Sequence, residues 1–454
     1  MALWTLRLAL PKIAVGWMFA LLTVDFNRVA IVEFGIAAII VSSMLSIHYF
    51  LAPFQVITGR IADCHPVLGY RRSPYLLGAS AVASLLFLAL PSVTIAMGEG
   101  SAGAMAAGVA LFVMFGLCMA VIADSYHSLI AEVTEKQYRP TVIAIVWVVM
   151  ILSTIISANV MNIVRPEFSP EAMQRLYNLT PPVVIISVLL GIVGMERRLK
   201  PIDIQAAISK AKSLAPPGNP LASAIKLIGS SSETRRFFVF ICLAIFAIFL
   251  QQNLIEVFGA EVFDMSIKET TGLQPVWGGG ILLGMILMGT ISAIRPVPKQ
   301  VSTLIGCSGA ALGFIAMGLV GFLELQGLFV PTMFFLGFCA GVFNAGALAL
   351  MMDMTVDGAT GMYMGLWGVA QAAGMGLSAV CAGMLHTSLI ASGLLAAGIG
   401  YWIIFSVEAV LLMVAAILLF GLRPERFQEQ AQQVQEQQRA DIDTSTGNLG
   451  VTSA

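Results

Sequence analysis

Apolar runs of about twenty residues recur along this 454-residue chain from end to end. A helix needs about 20 apolar residues to cross the ~30 Å hydrocarbon core of a bilayer. In that solvent every backbone polar group must be satisfied internally, so only helices and closed barrels can span it. A barrel would show segments of about ten residues with alternating polarity, whereas these runs are continuous. The chain therefore reads as an all-α polytopic membrane protein. Twelve spans are expected near 13–34, 37–58, 74–96, 104–127, 140–162, 179–195, 236–258, 274–294, 300–322, 329–352, 360–385 and 398–421. Only 11% of residues are charged, against roughly 25% in a soluble protein. The net charge of −1 gives no case for nucleic-acid binding.

The distribution of basic residues orients the chain. Of 24 Lys and Arg, all but Arg28, Arg165, Arg175 and Lys268 fall on one set of alternate connections and on the termini. Lys12, Arg71 and Arg72 belong to that basic set. Cytoplasmic loops carry the excess of Lys and Arg, so both termini are expected in the cytoplasm. Arg165 reads as an exposed residue of an outer loop. Met1–Pro11 leads directly into the first span, with no separate cleavage region for a signal peptide.

The longest connection, 196–235, contains Pro216-Pro217-Gly218-Asn219-Pro220 and splits the spans six and six. This predicts an N-terminal bundle over 1–195, a cytoplasmic linker over 196–235 and a C-terminal bundle over 236–422. The tail, 423–454, is rich in Gln, Ser and Thr and reads as disordered or weakly helical. The six cysteines are scattered through apolar runs without metal-ligand spacing and read as small hydrophobes.

The halves look like repeats. Glu132-Val133-Thr134 closes the fourth span and Trp147 follows 15 residues after the acid. Asp353-Met354-Thr355 closes the tenth, and Trp367 follows after 14. The first and seventh spans both turn polar in their outer third. A parallel six-plus-six repeat is the arrangement of the major facilitator transporters.

Ionisable residues inside spans are expensive and are the functional candidates. Asp25, Asn27, Arg28 and Glu33 lie in the first span, and Gln251, Gln252, Asn253 and Glu256 in the seventh. In an α-helix Glu33 is off the face of Arg28. Arg28 is nonetheless expected within ion-pair reach of Glu33 or, across the two halves, of Glu256, on the interior side of the bundle, forming a gate or cavity. The competing reading is an arginine that snorkels to the headgroups. Trp277 and Trp367 could wall a cavity for a large ring, with Gln371 one turn beyond Trp367, although glycine-rich helix packing would equally explain the glycines around them. Gly59, Asp63, Gly69, Arg71 and Arg72, between the second and third spans, resemble the major facilitator loop signature, with an insertion at Cys64–Leu68. With Glu132 and Asp353 they are candidates for a cytoplasmic latch. No Walker A sequence is present, and the chain is expected not to be an enzyme.

Several of these segments together resemble the PucC/LhaA proteins, the bacteriochlorophyll-delivery branch of the major facilitator superfamily. They are Asn27-Arg28-Val29-Ala30-Ile31-Val32-Glu33, Ala52-Pro53-Phe54 and Gly69-Tyr70-Arg71-Arg72-Ser73-Pro74-Tyr75. Gly259-Ala260-Glu261-Val262-Phe263-Asp264-Met265-Ser266, Met352-Asp353-Met354-Thr355 and Gly365-Leu366-Trp367-Gly368 continue the match. The chain departs at Ala30, usually Met in the family, and at Gln55, often Arg. The resemblance implies chlorophyll or bacteriochlorophyll as bound cargo and no intrinsic cofactor or metal. It implies antenna or photosystem apoproteins as partners, in the membrane of a photosynthetic bacterium. His48 and His127 are then candidate pigment ligands, since a neutral imidazole can ligate the magnesium of a chlorophyll. Two rival readings stand beside this one: a proton-coupled transporter of a small amphipathic solute, and a non-transporting assembly scaffold.

Overall fold

The computed structural model describes residues 2–135, 139–165, 167–200, 205, 231–295, 297–354, 360–422 and 425–427. Most of the expected linker and tail lies outside these residues. Among the described residues ten helices are long and apolar enough to span a membrane, and two bent pairs raise the number to twelve. In chain order spans 1–6 are Trp4–Glu33, Ala38–Phe54 with Ile57–Cys64, Ser73–Gly98, Ala102–Val133, Ile145–Val164 and Pro170–Ile192. Spans 7–12 are Ser232–Asn253 with Ile255–Phe263, Ile267–Ser292, Lys299–Phe322, Gln326–Asp353, Leu366–Ala391 and Ala397–Phe420. The end of the molecule bearing the first residues of span 1 and the loop between spans 2 and 3 is called here the basic end. The opposite end is the far end.

Local sequence explains where the helices begin and break. Ser101 and Ser169 cap spans 4 and 6 by accepting from the N–H of Ala104 and Ala172. Ser231 caps span 7 in the same way. Ser266 and Glu269 form a reciprocal capping box at the start of span 8. Span 2 bends by 51° where Ala52–Phe54 forms a 3-10 turn containing Pro53, as expected where proline cannot extend the α-helix. Span 7 bends by 44° at the 3-10 turn Gln251–Asn253.

The buried apolar side chains form two clusters. One runs from Leu8 to Met195 and takes in Val257 and Ile267. The other runs from Phe237 to Phe427. The halves meet where span 2 packs on span 11 and span 5 on span 8. Large apolar side chains such as Ile163, Ile294 and Phe420 remain exposed, as lipid-facing positions require.

Spans 8 and 10 pack backbone to backbone. A Cβ on Gly284 would collide with the Phe338 carbonyl oxygen, and one on Gly341 with that of Ile281. Small residues at such crossings give close van der Waals packing where lipid offers no hydrophobic drive for helix association. Gly284→Ala is therefore expected to cost about 1–3 kcal/mol by overpacking. Gly279→Ala, where a Cβ meets open space, should be neutral. Residual monodisperse protein after heating in detergent, read by size-exclusion chromatography, separates the two.

Candidate functional site

The polar cluster of spans 1 and 7 lies at the far end. Span 1 leaves α-geometry there, with π-helical segments at Leu21–Phe26 and Val29–Glu33. The N–H of Phe34 donates to the carbonyl of Val29, five residues back. That wider turn aligns residues five apart, and Arg28 Nη1 meets Glu33 Oε1 at 2.6 Å. Of the two acids expected within reach of Arg28, Glu33 is therefore the partner, and no ion pair with Glu256 forms. Glu256 is buried and its Oε2 has no hydrogen-bond partner. The choice between them follows from helix type, since an α-helix would have held Glu33 off the Arg28 face.

Arg28 still reaches the other half, where its Nη2 donates to the Met265 carbonyl at 3.3 Å. Asn27 donates to the Asn253 carbonyl at 2.7 Å. Two further bonds cross between the halves at this end. The N–H of Ile39 donates to Thr387 Oγ1 at 3.2 Å, and Asn162 donates to the Lys268 carbonyl at 3.2 Å. Four hydrogen bonds thus bridge the two halves at the far end. Gln251 and Asn253 are buried and Gln252 is half-buried. Asn27 Oδ1, Arg28 Nε, Gln251 Oε1 and Glu256 Oε2 are buried without partners. Most buried polar atoms in proteins are satisfied, so this seam holds unused hydrogen-bonding capacity.

Arg165 contradicts its sequence reading. It is 1% exposed and forms an ion pair with Asp25, whose side chain is also fully buried. Span 5 runs on to Val164, and the N–H of Arg165 extends it by donating to the Met161 carbonyl. The side chain therefore turns into the bundle toward the first π-helical segment instead of reaching water.

Trp367 is likewise not a cavity wall. It is fully buried, donates from Nε1 to the Met354 carbonyl at 3.1 Å and stands edge-on to Phe237. Trp277 is buried against the backbone of Gly337. Gln371 is half-buried and its amide contacts Met351 Sδ at 3.3 Å.

At the basic end the latch residues assemble. Arg72, 5% exposed, donates to Asp63 at 2.5 Å and to Glu132 at 3.0 Å, and lies 3.7 Å from Asp124. Arg71 meets Asp63 at 2.8 Å and Glu132 at 3.2 Å. Gly69 has φ +84°, a conformation that favours glycine. A Cβ on Gly59 would lie 2.5 Å from Asp124 Oδ1, so the glycine lets the Asp124 carboxylate pack close to this loop. The sequence reading missed Asp124 and Glu196. Glu196 accepts from the N–H groups of Arg71, Arg72 and Ser73 at 2.5, 2.9 and 2.7 Å, capping span 3. An acid beside the Arg197-Arg198 pair was the available signal. Asp353 does not join this cluster but pairs with Lys299 at 2.6 Å. Lys299 begins span 9 as Arg72 precedes span 3, so each half ties the start of its third span to the end of its fourth.

The two histidines differ. His48 Nδ1 lies 2.6 Å from the Leu45 carbonyl, which fixes that nitrogen as the donor. Its ring is flanked by Phe19, Tyr49 and Phe115. His127 is exposed at the basic end of span 4, beside Tyr126.

The model of the PUCC protein family matches residues 25–427. The chain belongs to the PUCC protein family. A relative from Rhodobacter capsulatus, described as an uncharacterized protein in the puhA-bchM intergenic region, is 29% identical, with 91% of this chain and 88% of that one covered. A second from the same species, named bacteriochlorophyll synthase 44.5 kDa chain, is 27% identical, with 92% and 94% covered. Among solved structures, the nucleoside transporter NupG superimposes with a TM-score of 0.68 at 13% identity, covering 92% of this chain and all of that one. This PUCC family member therefore has the fold of the major facilitator transporters.

Proposed function

We propose that the protein binds and hands over a chlorophyll-type pigment during assembly of light-harvesting or photosystem complexes, without itself catalysing a reaction. The family match over residues 25–427 carries this reading, and the bacteriochlorophyll-related name of one relative supports it. Both termini face the cytoplasm, on the charge bias of the loops. The basic end then faces the cytoplasm, and the halves are bridged at the far end. Opening the seam would break the Asn27 and Arg28 bridges and expose the spare polar atoms of Gln251 and Glu256. The π-helical and 3-10 breaks in spans 1 and 7 give hinge points for that motion. His48, with Nδ1 held by Leu45, leaves Nε2 as the lone pair for magnesium. Nascent antenna or photosystem polypeptides are the receiving partners.

The latch provides the test. Asp63→Asn removes the shared acceptor of Arg71 and Arg72, worth about 1–3 kcal/mol as charge-assisted bonds. In a bacteriochlorophyll-producing strain carrying only this variant, antenna complexes should accumulate to well under half the wild-type level while the protein persists in the membrane. Normal antenna levels would remove the latch from the mechanism.

A further inference from the structure

Lys12 is the charged group that neither the seam nor the latch uses. Sequence reading placed it among the loop cations, yet it is only 8% exposed, inside the first bundle near the basic end. Its Nζ lies 5.4 Å from the ring centroid of Tyr126 in span 4 and 5.4 Å from that of Trp147 in span 5. Tyr126 is fixed by its hydroxyl, which donates to the Leu8 carbonyl at 2.9 Å. Among the described residues no carboxylate pairs with Lys12. Two aromatic faces attract an ammonium by roughly 0.5–2 kcal/mol each, far less than the several kcal/mol needed to desolvate it. The cation is therefore held in place but not neutralised.

The cluster borders exposed groups. Trp147 is 38% exposed, its indole N–H has no partner among the described residues, and His127 stands exposed beside Tyr126. An unpaired cation, a free N–H donor and flat aromatic faces converge from spans 1, 4 and 5. Phe19, seven residues after Lys12 and two turns along the same helix face, carries the His48 ring on its edge.

We propose that this cluster binds the carboxylate of an organic anion with a flat, conjugated body. On the pigment reading above, that anion is a chlorophyll-type ring whose propionate side chain is free rather than esterified. The reading supplies the identity of the ring, and the unpaired Lys12 supplies the requirement for an anion.

The test uses the full chain purified in mild detergent and two pairs of probes. The first pair is chlorophyllide a and its methyl ester. The second is 1-pyrenebutyrate and its methyl ester, a flat carboxylate unrelated to pigment. Wild type should bind each acid about tenfold more tightly than its ester. Lys12→Met should bind acid and ester alike, and Lys12→Arg should keep the preference. A Lys12-dependent preference for pyrenebutyrate with no binding of either chlorophyllide would uphold the anion site and refute the pigment reading. No preference in wild type for any acid, or an undiminished preference in Lys12→Met, would overturn the proposal. So would phosphatidylglycerol binding that is tighter than that of the acids and lost in Lys12→Met, because the cation would then serve a lipid headgroup.

Discussion

Arg165→Ala should strip the protein of most of its folded population. The change leaves Asp25 as a buried carboxylate with no cation, 0% exposed at its side chain. Breaking a buried pair by removing one member costs about 3–5 kcal/mol, a large fraction of the 5–15 kcal/mol by which domains are typically stable. Asp25→Ala should be as harmful, because it strands the guanidinium. The double change Asp25→Ala with Arg165→Ala should recover part of the loss, since neither charge is then left alone. Arg175→Ala, on an exposed position of the preceding helical turn of span 6, is the control and should be silent. Yield and thermal midpoint in detergent report all four. Equal, small effects for Arg165→Ala and Arg175→Ala would mean that the pair contributes no fold stability.

Arg72→Ala should be the second most damaging change. Arg72 is the cation shared by Asp63, Asp124 and Glu132. Without it three carboxylates face one another with only Arg71 between them, and Arg71 contacts two of the three. A loss of about 3 kcal/mol or more is expected. Arg72→Lys should rescue little, because an ammonium cannot reproduce the planar fork that serves several carboxylates at once. Lys299→Ala, which breaks an exposed pair with Asp353, should cost no more than about 1 kcal/mol. Comparable midpoints for the Arg72 and Lys299 variants would show that the basic-end cluster is a solvated surface network.

Hydropathy alone made the spans legible, because a bilayer-crossing helix leaves a continuous signal along the chain. The latch was legible in part for the same local reason: Gly59, Asp63, Arg71 and Arg72 lie within one short loop. Their partners Asp124 and Glu196 come from span 4 and from the turn after span 6, and nothing in a linear reading aims those side chains at the loop. Glu33 was legible as one of two possible partners of Arg28, but not as the chosen one, because a 3.6-residue period sets it off that face and the π-helical turn brings it back. Arg165 was misjudged because a cation at the end of a span has two choices, outward to water or inward to an acid, and the choice depends on where Asp25 falls in the packed bundle. Trp367 shows the opposite error. A tryptophan in a glycine-rich span reads as a ligand wall, but its indole N–H finds the Met354 carbonyl within the core. Lys12 was hidden for a related reason: the positive-inside count places a basic residue at the correct end of the bundle without telling whether it faces solvent.

The central claim is that this PUCC family member holds a chlorophyll-type pigment, and its absorption spectrum tests that claim most directly. The full chain should be purified in mild detergent from a host that makes bacteriochlorophyll, in parallel with His48→Phe. Wild type should carry pigment near one per chain, with the long-wavelength band shifted from that of free pigment in the same micelles. His48→Phe should keep the fold and lose most of that band. Wild-type protein that is folded and monodisperse yet colourless, in a host rich in pigment, would contradict the account.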